Sequence, residues 1–537
     1  MGDGESAVRI TGTGHASVFI ETSAGSILCD PWVNPAYFAS WFPFPDNSEL
    51  DWDRLGNCDY LYVSHLHRDH FDAQTLAKHV RKDTVVLFPD FPTSSMHDEL
   101  TDLGFTNLRR MPNEEVVELD GGVNVMVQAM TAPTDGPLGD SSIWVEDNGV
   151  RVLNQNDARP HSLEAFAKLG HLHGHLLQFS GAIWYPMVYD LPPAAKRAFG
   201  EQKRERQLDR SLRYIQDVNA DWVFPIAGPP CFLDPELFEL NDVFADPGNI
   251  FPDQQVFVDF MAEQGHDNGV VLLPGTEVGL TKESIDIQQP IADVPAFFTT
   301  ENKLAYLADF QARQLETIAA ERASWSHPEI DLFAAINEWF EPIMEQADQI
   351  SHGIGGPVLF ELTGPSPEEG PTPPVVEEIV LDFVNRTVRR PEASDKPRYR
   401  FRLQRRLIEH LVFIREEDWV NHLFLSARFE AKRIGQYNEF VYTFFKCLSD
   451  ERVNYVEGWY AEQQPDAEDI ELDGWVVQRR CPHLKADLTR FGEIDGDTLQ
   501  CMLHGWEWNL KTGKCLTSAG HEIRATREAG DSEAVQA

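Results

Sequence analysis

Ser64-His65-Leu66-His67-Arg68-Asp69-His70-Phe71-Asp72 follows directly on the apolar run Tyr60-Leu61-Tyr62-Val63. A short apolar run of this kind reads as a buried strand. The residues after it carry three imidazoles and two carboxylates. So dense a set of lone-pair donors does nothing for packing. Imidazole and carboxylate are ligands for zinc and equally for iron. His65, His67, Asp69 and His70 are therefore candidate metal ligands at a strand end. The bland alternative, a polar surface loop, leaves their clustering without a reason.

The surrounding sequence predicts an α/β domain over 1–296. Apolar strand candidates recur at 16–21, 26–29, 84–88, 123–130, 142–145, 150–154, 222–226 and 270–273, with helical stretches such as 194–217 between them. No nucleotide-type glycine loop follows any strand. Upstream lies Gly14-His15-Ala16-Ser17, leading into Ile27-Leu28-Cys29-Asp30-Pro31-Trp32. Downstream, Val152-Leu153-Asn154-Gln155-Asn156-Asp157 ends a strand on a carboxylate.

His-x-His-x-Asp-His in this setting resembles the metallo-β-lactamase superfamily. The resemblance implies an αββα sandwich. It also implies that His65 and His67 grip one metal, that Asp69 and His70 reach a second, and that Asp157 bridges the two. Asp30 would orient the ligand loop from behind. Two superfamily histidines are missing. None stands between 131 and 142, and none follows 222–226, where the chain reads Pro225-Ile226-Ala227-Gly228-Pro229-Pro230-Cys231. Asp135, Asp140, His161 and His175 are the candidate substitutes. Alternation would set His171, His173 and His175 on one face of a strand, although solvated histidines are the plainer reading of that cluster.

A second motif lies near the C-terminus, in a stretch of short strands and turns over 455–537. Cys481-Pro482-His483 is followed, after seventeen residues, by Cys501-Met502-Leu503-His504-Gly505-Trp506. A C2H2 zinc finger places two cysteines first and two histidines later. Here the order is Cys, His, Cys, His. A [2Fe-2S] cluster with thiolates on one iron and imidazoles on the other needs one Cys and one His from each of two loops. The segment resembles the Rieske domains of oxygenases and their ferredoxins, a small all-β fold. That resemblance implies Cys481 and Cys501 on one iron and His483 and His504 on the other, with zinc as the alternative. Cys515 reads as a core thiol. Imidazole ligation raises the cluster potential to about −150 mV or above.

Between these modules, 297–454 reads as mainly helical. Leu304, Leu307, Phe310 and Leu315 fall near helical spacing. A proline-rich acidic stretch at 364–375 reads as a loop. The stretch 400–433 is expected to be strongly helical, with Leu403, Leu407 and Leu411 spaced by four, and Trp419, Leu423, Ala427 and Ala431 likewise. At roughly 150 residues per domain, 537 residues allow several domains.

Composition excludes other classes. Asp plus Glu is 87 against 45 for Lys plus Arg, a net charge of −42. Such a mean field repels nucleic acid. It suits a solubilising acidic surface, or the steering of a basic redox partner. Seven cysteines, sparse and odd in number, are not a disulfide framework. No secretory leader is expected from the opening residues, and no apolar run approaches the ~18 residues of a membrane span. A cytoplasmic protein is expected.

Zinc has no redox chemistry, so a Rieske cluster argues for one or two non-haem irons in the N-terminal site. The pairing of these two domains resembles the CMP-N-acetylneuraminate hydroxylase group, although there the Rieske domain is N-terminal. The reading is an O2-dependent monooxygenase or N-oxygenase acting on a small molecule, fed by a ferredoxin, cytochrome or flavin reductase. A metal-dependent hydrolase with a redox-sensing cluster is the alternative, and a non-catalytic electron carrier the third class. The two metal sites should lie within electron-transfer reach in one chain, or across a homo-oligomer interface.

Overall fold

A computed structural model describes residues 8–242, 249–364, 373–461, 468–483, 486–502, 505–518 and 521–527. Eight strands form one sheet, in the order Ile285–Gln288, Glu277–Leu280, Val8–Gly14, Ser17–Thr22, Gly25–Cys29, Tyr60–Tyr62, Val85–Pro89, Asn107–Met111. Six form a second sheet, in the order Trp222–Ile226, Gly174–Gln178, Val150–Asn156, Asp140–Asp147, Asn124–Met130, Val117–Glu118.

Side-chain alternation sorts the two faces. Val125 and Val127, Ile143 and Val145, and Val152 point into the core between the sheets, against Ile10, Val18, Ile27 and Leu87. Met126, Trp144 and Leu153 point the other way, onto Tyr214 and Ile215 of the helix Pro193–Val218 and Phe257 and Met261 of Gln254–Glu263. The outer face of the larger sheet, with Leu28, Leu61, Val63 and Val86, is covered by Leu76 and Leu100 from two short helices. This is the expected αββα sandwich. Of the predicted strands, 270–273 does not form: one bridge, Val223 to Gly269, is all that joins the sheet there.

The middle region is helical, and it carries a five-stranded sheet the sequence reading did not foresee. Its strand order is Thr387–Arg389, Val375–Asp382, Pro357–Thr363, Tyr399–Gln404, Phe429–Arg433. The helix Leu332–Gln346 is capped by Asp331, which accepts from Ala334 N, and buries Leu332, Ile336, Trp339, Phe340 and Ile343 along one stripe. In the helix Thr300–Ser324, Leu307, Phe310 and Ile318 are buried, whereas the expected Leu315 is exposed. The stretch 400–433 is not one helix. It is a strand, the helix Arg405–Ile414, a short π-turn at Val420–Phe424 and a second strand. Residues 365–372 of the proline-rich loop lie outside the described residues.

The C-terminal module has two three-stranded sheets, and its Trp475, Leu488 and Phe491 join the hydrophobic cluster on the outer face of the six-stranded sheet. Its first two strands, Asp469–Leu472 and Trp475–Gln478, form a hairpin.

Arg428 ties the middle region to the sandwich. It is buried, and donates to the carbonyls of Phe38 and Ala39 and to Asp234 Oδ2 at 2.6 Å. Arg322 reaches the same carboxylate. Burial acts to raise the Asp234 pKa, but the two guanidiniums hold it below the usual carboxylate range. Breaking such a buried pair costs about 3–5 kcal/mol. Arg428→Ala should lose that much in urea unfolding at pH 7. Because the folded pKa is depressed, the pair's contribution is complete above the unfolded value near ~3.9 and lost as pH falls through the folded one.

Candidate metal centres and the cavity between them

The strand Tyr60–Tyr62 ends in the buried centre of the sandwich edge, and the motif turns there. Asp72 terminates the loop by capping the helix Ala73–His79 and by accepting from Val33 N and Asn34 N. Asp30, wholly buried, accepts from Ser64 N and Ser64 Oγ and lies 2.9 Å from His70 Nδ1. It thereby fixes the His70 ring, with Nε2 facing inward.

Two groups of ligand atoms result, each lying within 4.8 Å of one another: His65, His67 and Asp157; and His15, Asp69 and His70. His65 Nε2 is 2.7 Å from His67 Nδ1 and 3.8 Å from Asp157 Oδ2. His70 Nε2 is 3.6 Å from the same Asp157 oxygen, which places that carboxylate between the groups. His15 Nε2 is 2.9 Å from Asp69 Oδ2, and Tyr37 donates to Asp69 Oδ1 at 2.5 Å.

His15 and Tyr37 were missed by the sequence reading. Both have left-handed backbones, with φ of 54° each, as have Phe38 and Ala39. Such conformations are costly for non-glycine residues and gather at functional sites. The only trace in the sequence was Gly14 beside a lone histidine. Asn421 was missed as well. It comes from the π-turn of the middle region, and its Oδ1 lies 2.9 Å from His67 Nε2. Accepting from that nitrogen holds the proton there and leaves the Nδ1 lone pair facing His65 and Asp157.

The expected substitutes are placed differently from one another. Asp140 lies 3.3 Å from His65 Nδ1. Burial, then the Asp157 charge, raises its pKa well above the carboxylate range. Asp135 lines the cavity described below, and His161 senses both Asp135 and His483. His175 stands apart, buried with its Nε2 on Gln155 Oε1, and burial lowers its pKa to about 3. Its strand begins only at Gly174, so His171 and His173 precede it.

The electrostatics suit a cation. Burial, with the neighbouring imidazoles, pushes His65 well below its ordinary value, and burial lowers His67 against the pull of Asp69 and Asp157. Burial acts downward on His70 too, but Asp157, Asp69 and Asp30 lift it to about 10. His70 Nε2 and Asp157 Oδ1 are buried with no hydrogen-bond partner. Two inward imidazole lone pairs, two carboxylates and these orphaned atoms fit one or two iron or zinc ions.

In the C-terminal module, Cys481 follows the strand Trp475–Gln478 and Cys501 ends Thr498–Cys501. Both thiols are fully buried and in no disulfide. His483 stacks on Trp506, with centroids 3.8 Å apart, and its Nε2 is 3.0 Å from Glu439 Oε2. That contact leaves Nδ1 as the nitrogen for iron. The predicted fourth ligand, His504, lies outside the described residues. The three described donors fit a Rieske cluster. Cys515 is buried beside Trp508 in the module core, as expected.

Glu439, in the first turn of the helix Glu439–Lys446, also takes His521 Nε2 at 2.5 Å. Burial would raise its pKa, but His521 and His483 hold it at about 2. Its charge therefore sits against the His483 imidazole, a candidate ligand of the cluster. Glu439→Gln should raise the cluster potential, because a removed negative charge favours the reduced form. The expected shift is on the order of 60 mV, tenfold in a one-electron equilibrium, read by redox titration.

One cavity of about 200 Å³ joins the two sites. Its lining takes His67, Asp140 and Asp157 from the first site and His483 and Glu439 from the second, together with Asp135, Asn421 and Lys446. Lys446 donates to the carbonyls of Thr134 and Gly136 and so pins the loop that carries Asp135.

Family profiles match a beta-lactamase superfamily domain at 9–157, an Rv3818-like, SCP2-like domain at 332–462 and a Rieske [2Fe-2S] domain at 467–524. A protein of Mycobacterium tuberculosis H37Rv, provisionally named a Rieske 2Fe-2S iron-sulfur protein, is 52% identical over 528 residues, 97% of this chain and 100% of that one. The cytidine monophosphate-N-acetylneuraminic acid hydroxylase of Gorilla gorilla gorilla is 26% identical over 232 residues, 41% of this chain and 37% of that enzyme. Among solved structures, a possible metal-dependent hydrolase of Veillonella parvula is 12% identical, covers 51% of this chain and 99% of its own, and has a TM-score of 0.36. No described helix is long and apolar enough to cross a membrane.

Proposed function

We propose that this chain, which belongs to the family of the mycobacterial Rv3818-like Rieske iron-sulfur proteins, is a Rieske-coupled non-haem iron oxygenase that oxidises a small molecule with O2. The observation that carries the reading is the shared cavity: His67 and Asp157 line it together with His483 and Glu439, within one chain. The partial likeness to a hydroxylase supports it. We read 1–296 as the catalytic unit, 297–454 as the unit that closes it and 455–537 as the electron-delivering unit. A ferredoxin, cytochrome or flavin reductase in the cytoplasm would supply the electrons.

Held by His65, His67, Asp69, His70 and Asp157, with His15 beside Asp69, iron would supply oxygen activation, as a cluster on Cys481, His483, Cys501 and His504 would supply single electrons. The chain's own part is positional. Asp30 and Asn421 set the proton positions of His70 and His67. Glu439 holds the His483 ring against the cavity. Trp184, Val420 and Leu425 form an apolar wall that limits water beside the ligands. Burial raises the pKa of both Asp140 and Asp135, so each holds its proton to a higher pH than an exposed carboxyl does.

Metal analysis of the purified protein tests the assignment. Three or four irons per chain support the oxygenase. Two irons with zinc would favour a hydrolase that carries a redox sensor, and two irons alone an electron carrier.

A further inference from the structure

A second cavity, of about 520 Å³, adjoins the metal cavity. Ile183, Trp184, Tyr437 and Tyr442 line both, so the two share a wall. In a chain of net charge −42, this cavity is lined by Lys203, Arg206, Arg210 and Arg433. Arg206 is paired with Glu507 at 2.7 Å, and Arg433 lies over the rings of Tyr185, Tyr189 and Tyr437.

Lys203 and Arg210 have no such company. Among the described residues neither makes a hydrogen bond or an ion pair, and Arg210 is only 6% exposed. Burial, then Arg159, Arg210 and Arg206, depresses Lys203 to about 7; burial and Arg159 depress Arg210 to about 9. Gln207, one turn from each, is buried to 2% exposure with both amide atoms unpartnered. All three lie on the helix Pro193–Val218, whose buried stripe is polar at Gln207, Arg210 and Ser211. Buried cations without a counter-charge are unfavourable unless a ligand brings one. Arg159, which repels both, lines the metal cavity, so the positive potential continues toward His67 and Asp157.

We infer that Lys203, Gln207 and Arg210 form an anion subsite for the substrate, which is a small organic molecule bearing a carboxylate or phosphate. Its charged end binds in the larger cavity, and its reacting end passes the Trp184 and Tyr442 wall to the metal site. The role as a substrate subsite rests on the oxygenase reading; the anion site itself does not.

The test is calorimetric titration of the full-length, cluster-loaded protein with inorganic phosphate and, separately, with benzoate, at low ionic strength. Saturable binding of one probe is expected, phosphate or benzoate marking which oxyanion the substrate carries. Removing one charge-assisted contact should weaken it about tenfold in Arg210→Gln and in Lys203→Gln. The half-buried Lys203 keeps the test informative should Arg210→Gln not fold. His67→Ala should bind as the unaltered protein does, so failure of the oxidation reading would leave this result in place. No saturable binding of either probe, or equal affinity in a folded Lys203→Gln protein, overturns the inference.

Discussion

Cys481→Ser should leave a protein without the Rieske EPR signal on dithionite reduction and with about two fewer irons per chain, the content of one cluster. The thiol is wholly buried, between the strand Trp475–Gln478 and the Ala486 carbonyl that accepts from its backbone N–H. A serine there is a poor ligand and leaves a hydroxyl in an apolar cluster. The C-terminal module should loosen, since metal binding and folding are linked. The sandwich should remain folded, because its main core, between the two sheets, contains no C-terminal residue among those described. Iron at the N-terminal site should persist. A full-strength signal in this variant would remove Cys481 from the ligand set.

His67→Ala should do the reverse. It removes one inward imidazole from the His65, His67 and Asp157 group and leaves Asn421 Oδ1 without the donor it faces. The second effect costs less than the about 1–3 kcal/mol of a fully buried unmet acceptor, because Asn421 is half-buried. The first should lower metal occupancy of that site, and activity with it, by more than about 100-fold, the upper range for loss of even an outer-shell partner. The Rieske signal should be unchanged, since the hydrogen-bond partners of His67 among the described residues all lie outside the C-terminal module. Metal analysis and EPR on the same sample check both halves. Loss of the cluster signal in a folded His67→Ala protein would mean that the sites are not separate.

The ligand motifs were legible because their chemistry is local. Imidazoles and carboxylates crowd into 65–72, and Cys–His pairs sit two and three residues apart. No packing role accounts for either. The sandwich was legible because its strands alternate cleanly between two buried faces. What escaped were single residues brought from far away. His15, Asn421 and Glu439 each come singly to the site, and an isolated His, Asn or Glu is ordinarily surface. The middle sheet was hidden by an ambiguity of period. Leu403, Leu407 and Leu411 repeat every four residues, but Tyr399, Phe401 and Leu403 also alternate with Arg400, Arg402 and Gln404. The strand takes the second pattern, and the helix starts only at Arg405. The polar stripe of the helix Pro193–Val218 is hidden because its buried Gln207, Arg210 and Ser211 lie in a run of charged residues that differ from them only in burial.

In the proposed oxygenase the cluster delivers electrons to the N-terminal metal through the cavity the two share. Rapid-freeze EPR after mixing the fully reduced, iron-loaded protein with O2 tests it most directly, with the His67→Ala protein as the comparison. The account predicts that the cluster signal decays more than about tenfold faster in the unaltered protein, the span of roughly 1.4 kcal/mol in barrier. Equal decay rates in the two proteins, with the N-terminal iron present in one and absent in the other, would contradict it.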